Sequence, residues 1–425
     1  MSAIVSIKGR RVWDSRGRPT VEAEIVVAAG AIGRAIAPAG ASRGSGEAAE
    51  LRDGGTAFGG QGVDLAVAQI NGPIAAALKG RNATDQTGID ASLLALDGTA
   101  DKSVLGGNAM IAVSMAVLHA ASGATRQPLW RYLADQAGIK PRLPMPMIQI
   151  FGGGAHAAGR LDLQDFLVIP LGADSFDRAL VMCADVYAAA GRLMEDEGKR
   201  SGIADEGGWW PDFSSNEEAI ATLTRAIEAA GYRAGAEIGI ALDVAASGLW
   251  KDGGYRLGRD GKTLSTDGLI SLLADWIGSY PIVSIEDPLA EDDWDGMVRF
   301  SAMSDRIQVV GDDLLVTDAK RIRRATASHA CNATLIKPNQ AGTVTETRTA
   351  FEAARAGGMS TIISARSGES EDTTIVHLAV GWDAGQLKVG SFARSERMAK
   401  WNEGLRIAEK VGKADFAGRA VLARR

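Results

Sequence analysis

Cysteine is nearly missing from this chain: 425 residues hold only two, Cys183 and Cys331. Far apart and without metal-type spacing, they argue against a disulfide framework, fit a reducing compartment and are expected to pack as small hydrophobes. Long apolar runs are missing too. No stretch of 18 or more apolar residues occurs, and the chain enters Ile4-Val-Ser-Ile7 without the basic start, apolar stretch and cleavage site of a secretory leader. A cytoplasmic protein without membrane association is the expectation. Positive charge is not in excess: 46 Lys and Arg stand against 52 Asp and Glu, a net charge of −6, with no dense basic block. That balance gives no reason to propose nucleic acid or an anionic membrane as partner. What is present is 46% hydrophobic and 23% charged residues, enough for a sizeable core, in a length that exceeds one ordinary domain.

The most informative residues are acidic and lysine side chains where short apolar runs end. The runs are Ile238 to Asp243, Ile282 to Glu286, Val309 to Asp313, Ala333 to Lys337, Thr361 to Arg366 and Gln386 to Lys388. They are mostly β-branched and suit strands buried on both faces. Helix-like stretches alternate with them, at Asn216 to Ala230, Thr266 to Ile277, Asp318 to Thr326, Gly342 to Ala356 and Ser370 to Gly381. Such alternation predicts a parallel (β/α) barrel, whose catalytic residues come from the C-terminal ends of several strands. A ring of these strands gathers Asp243, Glu286 and Asp312 with Lys337 and Lys388 in one mouth.

Residues 1–140 have a different pattern. Ile4 to Gly9, Thr20 to Val27 and Ile32 to Pro38 resemble consecutive strands, the second alternating Val21, Ala23 and Ile25 with Glu22 and Glu24 as in an antiparallel meander. Helical patterns follow at Val63 to Leu78, Asp85 to Leu96, Asn108 to Ser122 and Leu129 to Ala137, which makes an α+β unit. Pro141, Pro144 and Pro146 cannot continue the preceding helix, so 1–140 and 141–425 are the expected domains. Ala39 to Gly46, Gly152 to Gly159 and Lys251 to Lys262 are candidate mobile loops of the kind that close over barrel sites.

Long collinear motifs run through the chain: Asp14-Ser-Arg-Gly-Arg-Pro-Thr-Val-Glu22, Gly40-Ala-Ser42, Glu50-Leu-Arg-Asp53, Asp205-Glu-Gly-Gly208, Ala241-Leu-Asp-Val-Ala-Ala-Ser247, Ser284-Ile-Glu-Asp-Pro-Leu-Ala-Glu-Asp-Asp-Trp294, Gly311-Asp-Asp-Leu314, Arg366-Ser-Gly-Glu369 and Ala393-Arg-Ser-Glu-Arg397. Together they resemble the enolase (phosphopyruvate hydratase) family over essentially the whole chain. The resemblance implies an α/β fold, an N-terminal α+β domain capping an enolase-type modified (β/α)8 TIM barrel with an antiparallel start. It also implies two Mg2+ per active site, a small anionic phosphorylated substrate and a homodimer.

Within that resemblance, Asp243, Glu286 and Asp312 match the ligands of the high-affinity Mg2+, oxygen donors such as a hard dication takes. Ser42 matches a loop serine that helps to hold a second Mg2+ on the substrate phosphate. Lys337 matches the general base that removes the proton α to the substrate carboxylate, and Lys388 adds positive charge beside it and helps to keep Lys337 neutral. Glu206 matches the carboxylate that assists departure of the β-hydroxyl, a poor leaving group that needs a proton. Gln164, Asp165 and the loop histidine His156 accompany it. Arg366 and Ser367 match phosphate contacts, and a guanidinium suits phosphate bidentately.

The family pattern breaks at the site itself. Ala365 stands where the family carries histidine, Asp165 is a methylene shorter than the family's glutamate, Gly46 replaces another histidine, and Arg43 adds a planar cation at the substrate entrance. Trp209-Trp-Pro-Asp212 stands for the family's Phe-Ala-Pro-Asn. The hydroxyl-leaving side is therefore expected to be roomier, with three readings open. One is a lyase that takes 2-phosphoglycerate, or a close analogue, to phosphoenolpyruvate. Another is an enolase-derived enzyme similar to carboxyphosphonoenolpyruvate synthase, joining a phosphonate to an enolpyruvate skeleton, for which Arg43 suits an anionic second substrate. The third is a non-catalytic binding protein, against which the two retained lysines count. His119, His329 and His377 look like structural helix positions.

Overall fold

Alternation in the second strand decides how the N-terminal third folds. The computed structural model describes residues 2–304, 306–412 and 415–422. Ile4–Trp13, Pro19–Val27 and Ile32–Ile36 form an antiparallel three-stranded sheet in sequence order. Val21, Ala23, Ile25 and Val27 are buried, while Glu22 and Glu24 face the other way and pair with Arg10 and Arg34. Against the sheet lies the helix Gly107–Ala124, as apolar as a membrane span but with 83% of its residues buried inside the protein, which makes it a core helix. The approach is close: a Cβ on Gly33 would fall 2.0 Å from the Ala116 carbonyl oxygen. The single helix expected at Val63 to Leu78 is interrupted. Pro73 has no N–H for the helical ladder, and a π-turn at Ile70–Ile74 separates Asp64–Gln69 from Ala75–Leu78.

The barrel strands are Met145–Gly152, Asp165–Ile169, Gly239–Asp243, Ile282–Glu286, Gln308–Gly311, Ala333–Ile336, Ser360–Ser364 and Gly385–Gly390, and the last pairs with the first to close the ring. All neighbours are parallel except at the second strand, which is antiparallel to both of its neighbours. The first two strands are joined by a loop instead of a crossover helix, and such a connection returns the chain antiparallel. The reversed strand therefore begins at the mouth where the others end. Its first residue, Asp165, lies in register with Asp243, the last residue of the third strand.

Helices wrap the ring, and local chemistry starts them. Ser175, Ser215, Ser265, Asp293, Asp318 and Thr343 each accept a hydrogen bond from a backbone N–H in the first turn of the helix that follows. Two further pieces shape the mouth. A hairpin of Arg200–Ile203 and Trp209–Pro211 attaches to the first strand through Phe151 and Trp209. The segment Lys251 to Lys262, expected as a mobile loop, is instead part of a three-stranded meander of Trp250–Lys251, Gly254–Leu257 and Lys262–Leu264. Burial of Tyr255 and Leu257 and the 3.0 Å bond from the Ala290 N–H to the Tyr255 hydroxyl fasten it to the barrel.

Candidate active site

Strand geometry delivers the expected residues to one end of the barrel. Asp243 and Glu286 are the last residues of the third and fourth strands, while Asp312 and Lys337 directly follow the fifth and sixth. Lys388 differs from expectation. It lies inside the eighth strand, which continues to Gly390 and pairs Lys388 with Ser364. One small pocket is lined by Lys337, Lys388 and Arg366 on one side and His156, Asp165 and Glu206 on the other, with Ser42, Gln164, Ser367 and Asp243 at its edges. Ala365 also lines it, buried, where an imidazole was expected in the family pattern.

On the lysine side, Lys388 Nζ donates to Asp243 Oδ2 at 2.9 Å and to Glu286 Oε2 at 2.7 Å. Gln164 adds a 3.1 Å bond to the same Asp243 oxygen. Lys337 Nζ donates to Asp312 Oδ2, and Gln340 donates to Asp312 Oδ1 at 3.0 Å. Burial works against the Lys337 ammonium, but Asp312 outweighs it and the lysine pKa is raised. Asp312 therefore favours the ammonium form of Lys337 in this arrangement. The neutral lysine that the family resemblance implies is one with a metal beside it, whose charge would offset that of Asp312.

On the acid side, His156 Nδ1 is 2.8 Å from Asp165 Oδ1 and His156 Nε2 is 3.6 Å from Glu206 Oε1. Burial pulls the imidazole pKa down, yet Asp165 and Glu206 push it up to about 9. Asp165 is the mirror case: burial raises it, His156 overrides, and it falls to about 2. The pair is an imidazolium and a carboxylate across the neutral range, and its contribution to stability has a defined window. A raised histidine contributes fully below its ordinary value of 6.5 and loses that contribution as pH rises through about 9. A depressed aspartate contributes above 3.8 and loses its contribution as pH falls through about 2. His156→Gln should therefore lower the melting temperature most near pH 5–6, and the gap from wild type should narrow as pH rises through about 9. A gap that does not change with pH in thermal denaturation would remove the ion pair from this account.

Beside the lysines, the Arg366 guanidinium bonds Glu47 at 2.9 and 3.0 Å, Asn339 Oδ1 at 3.0 Å and the Ser42 carbonyl at 2.9 Å. Ser367 Oγ accepts from the Ala41 N–H at 2.6 Å, which holds the N-terminal loop over the barrel. Arg43 lies outside the inner pocket. It donates to the Ala48 carbonyl at 3.1 Å and lines a wider outer chamber of about 720 Å3 with Lys251, Arg256, Glu291 and Asp313. Ser42 and Gln164 line both spaces.

Whether these residues suit a metal is a question of donors. Among the described residues, two groups of three bring ligand atoms within 4.8 Å of one another: His156, Asp165 and Glu206, and Asp287, Asp312 and Asp313. The set expected from sequence, Asp243, Glu286 and Asp312, is not one of them; in this arrangement Lys388 joins Asp243 to Glu286 and Lys337 pairs with Asp312. The donor chemistry of that set nevertheless fits a hard divalent cation: it is all carboxylate oxygen and buried, and Glu286 Oε1 is buried with no hydrogen-bond partner. The His156 group fits worse, because a protonated imidazole offers no lone pair.

Several residues of the site escaped the sequence pattern. Gln149 donates to Asp165 Oδ1 and accepts from the Gly208 N–H. Glu47 holds Arg366, and Gln340 bridges Glu47 and Asp312. Asp287 accepts from the N–H groups of Asp312 and Asp313 at 2.9 and 2.7 Å and so shapes the turn that presents Asp312. A lone amide in the apolar run Met145 to Gly152 was the one available signal for Gln149. His119 and His377 are half-buried on their helices, with His119 Nε2 2.8 Å from Thr374 Oγ1. His329 is not helical but ends its helix at φ +55°.

Comparison with known proteins agrees with this architecture. The chain matches the family model "Enolase, N-terminal domain" over residues 4–133 and "Enolase, C-terminal TIM barrel domain" over residues 140–425. It is 48% identical to "Enolase 1" of Desulfitobacterium hafniense (strain Y51) over 425 residues, covering 99% of this chain and 97% of that protein. A reversed second strand, a closed ring and matches along nearly the full length make this chain a member of the enolase family.

Proposed function

We propose that this protein is a Mg2+-dependent carbon–oxygen lyase. It removes the α-proton of 2-phosphoglycerate, or a close analogue, and eliminates the β-hydroxyl as water to leave phosphoenolpyruvate. The observation that carries this reading is the two-sided pocket, with Lys337, Lys388 and Arg366 facing His156, Asp165 and Glu206. An α-proton beside a carboxylate is weakly acidic and hydroxide leaves poorly, so a base on one side and a proton source on the other are the two things the reaction needs.

Asp243, Glu286 and Asp312 would hold one Mg2+, and Ser42 would contribute to a second. When bound, the metal supplies positive charge that stabilises the negative charge developing on the substrate carboxylate. Arg366 and Ser367 bind the phosphate, and Lys388 adds charge where the carboxylate lies. Lys337 takes the α-proton. With Ala365 offering no imidazole, the proton for the departing hydroxyl comes from the Glu206 and His156 side, next to the buried Asp165 Oδ2, which accepts no hydrogen bond among the described residues. A homodimer belongs to the same reading, by analogy with the family.

The outer chamber favours a second reading. Arg43, Lys251 and Arg256, with Asp162, Glu291 and Asp313, line a space that shares Ser42 and Gln164 with the inner pocket, and the three cations there would meet an anionic partner such as a phosphonate joined to the enolpyruvate skeleton. One experiment separates the readings: protein, Mg2+ and 2-phosphoglycerate in D2O, followed by proton and phosphorus NMR. Exchange at the α-carbon with prompt phosphoenolpyruvate is the expected outcome. Exchange without elimination would overturn it in favour of the phosphonate partner. Mg2+ binding with neither exchange nor elimination would leave a binding protein.

A further inference from the structure

We propose that Gln149 is a positioning residue for the acid side of this site, its side-chain amide tying Asp165 to the turn that carries Glu206. Gln149 has no exposed surface and sits between Ile148 and Ile150 in the first barrel strand. Its Nε2 donates to Asp165 Oδ1. Its Oε1 accepts from the Gly208 N–H at 2.8 Å. A buried amide bonded at both ends is fixed in orientation, and losing it orphans buried polar groups on both sides.

The surroundings are shaped to admit that amide. A Cβ on Gly208 would fall 2.5 Å from Gln149 Oε1, and a Cβ on Gly152 would fall 2.5 Å from Ala204 Cβ. Glycine at both places lets the Glu206 turn press against the strand. The turn closes on itself through the Ala204 N–H to the Gly208 carbonyl at 2.8 Å, and Asp205 N–H bonds the His156 carbonyl at 3.1 Å.

The result is a closed circuit running from Gln149 to Asp165, to His156, to Glu206 and back along the turn. Asp165 Oδ1 receives both Gln149 and His156. Its Oδ2 is left buried without a hydrogen bond, 3.7 Å from the Lys388 ammonium with which it makes only a long ion pair. Gln149 thus sets which oxygen of Asp165 is free and how far Glu206 lies from His156. It has no hydrogen bond to Lys337, Lys388 or Arg366 among the described residues.

Gln149→Leu preserves bulk and removes both hydrogen bonds. This inference rests on the lyase reading for its kinetic arm only. In that arm, elimination should fall by about tenfold to a hundredfold while α-proton exchange stays within about twofold of wild type. Gly208→Ala, which forces the amide aside, should give the same split. A merely structural role would lower both rates together, and that result, or unchanged elimination, would overturn the proposal. The structural arm needs no substrate: hydrogen exchange at the Gly208 amide should speed up in Gln149→Leu. If wild type neither exchanges nor eliminates, the lyase reading fails, and unchanged protection of the Gly208 amide would then overturn the tie on its own.

Discussion

Replacing Lys337 by alanine should abolish both α-proton exchange and elimination, a loss of at least about 10²–10⁴-fold, with the fold retained. The expectation follows from position. Lys337 is buried, follows the sixth strand directly and reaches Asp312 with its only side-chain hydrogen bond among the described residues. Removal of a buried ammonium exposes the partner charge to a large penalty, but Asp312 keeps the 3.0 Å bond from Gln340 and becomes a freer ligand. Mg2+ affinity, measured by calorimetry, should therefore hold or rise. Lys337→Met, closer in volume, controls for packing. Wild-type exchange in either variant would take the lysine out of the mechanism, and weakened Mg2+ binding would show that it orients Asp312 instead of competing for it.

How legible this was from sequence depends on direction and spacing. Six of the barrel strands announce themselves because they are short, mostly apolar runs ended by a charge, and the helices that alternate with them start at capping residues such as Ser215, Ser265 and Asp318. The first two strands did not. Met145 to Gly152 carries a proline and an amide, and Asp165 to Ile169 opens with its charge where the others close with theirs, because it runs the other way. Lys251 to Lys262, rich in glycine and charge, hid a meander whose apolar residues Tyr255 and Leu257 are too few to show a period. The titrating side chains were visible as motif residues, but their pairings were not. That Lys388 bridges Asp243 and Glu286, or that Glu47 holds Arg366 across 319 residues of chain, is decided by barrel closure and by the N-terminal loop laid over it.

Glu206→Gln should split the reaction where Lys337→Ala does not. The substitution keeps size and leaves the backbone in place, since the Ser391 N–H holds the Glu206 carbonyl at 2.8 Å and Gln149 holds the turn at Gly208. What it removes is one of the carboxylates that, with Asp165 and Asp243, keep His156 charged, and with it the proton path proposed for the departing hydroxyl. Elimination should fall by roughly 10²–10⁴-fold, the usual scale for one acid–base participant, while α-proton exchange continues because Lys337, Asp312 and Arg366 make no side-chain hydrogen bond to Glu206 among the described residues. The His156 pKa should move down from about 9 at the same time, visible in the ring resonances. Exchange and elimination falling together would mean that proton removal and hydroxyl loss are one event in this protein. In that case Ala365 would be no defect, because a concerted departure does not need a second imidazole to hold an intermediate while the leaving group waits for its proton.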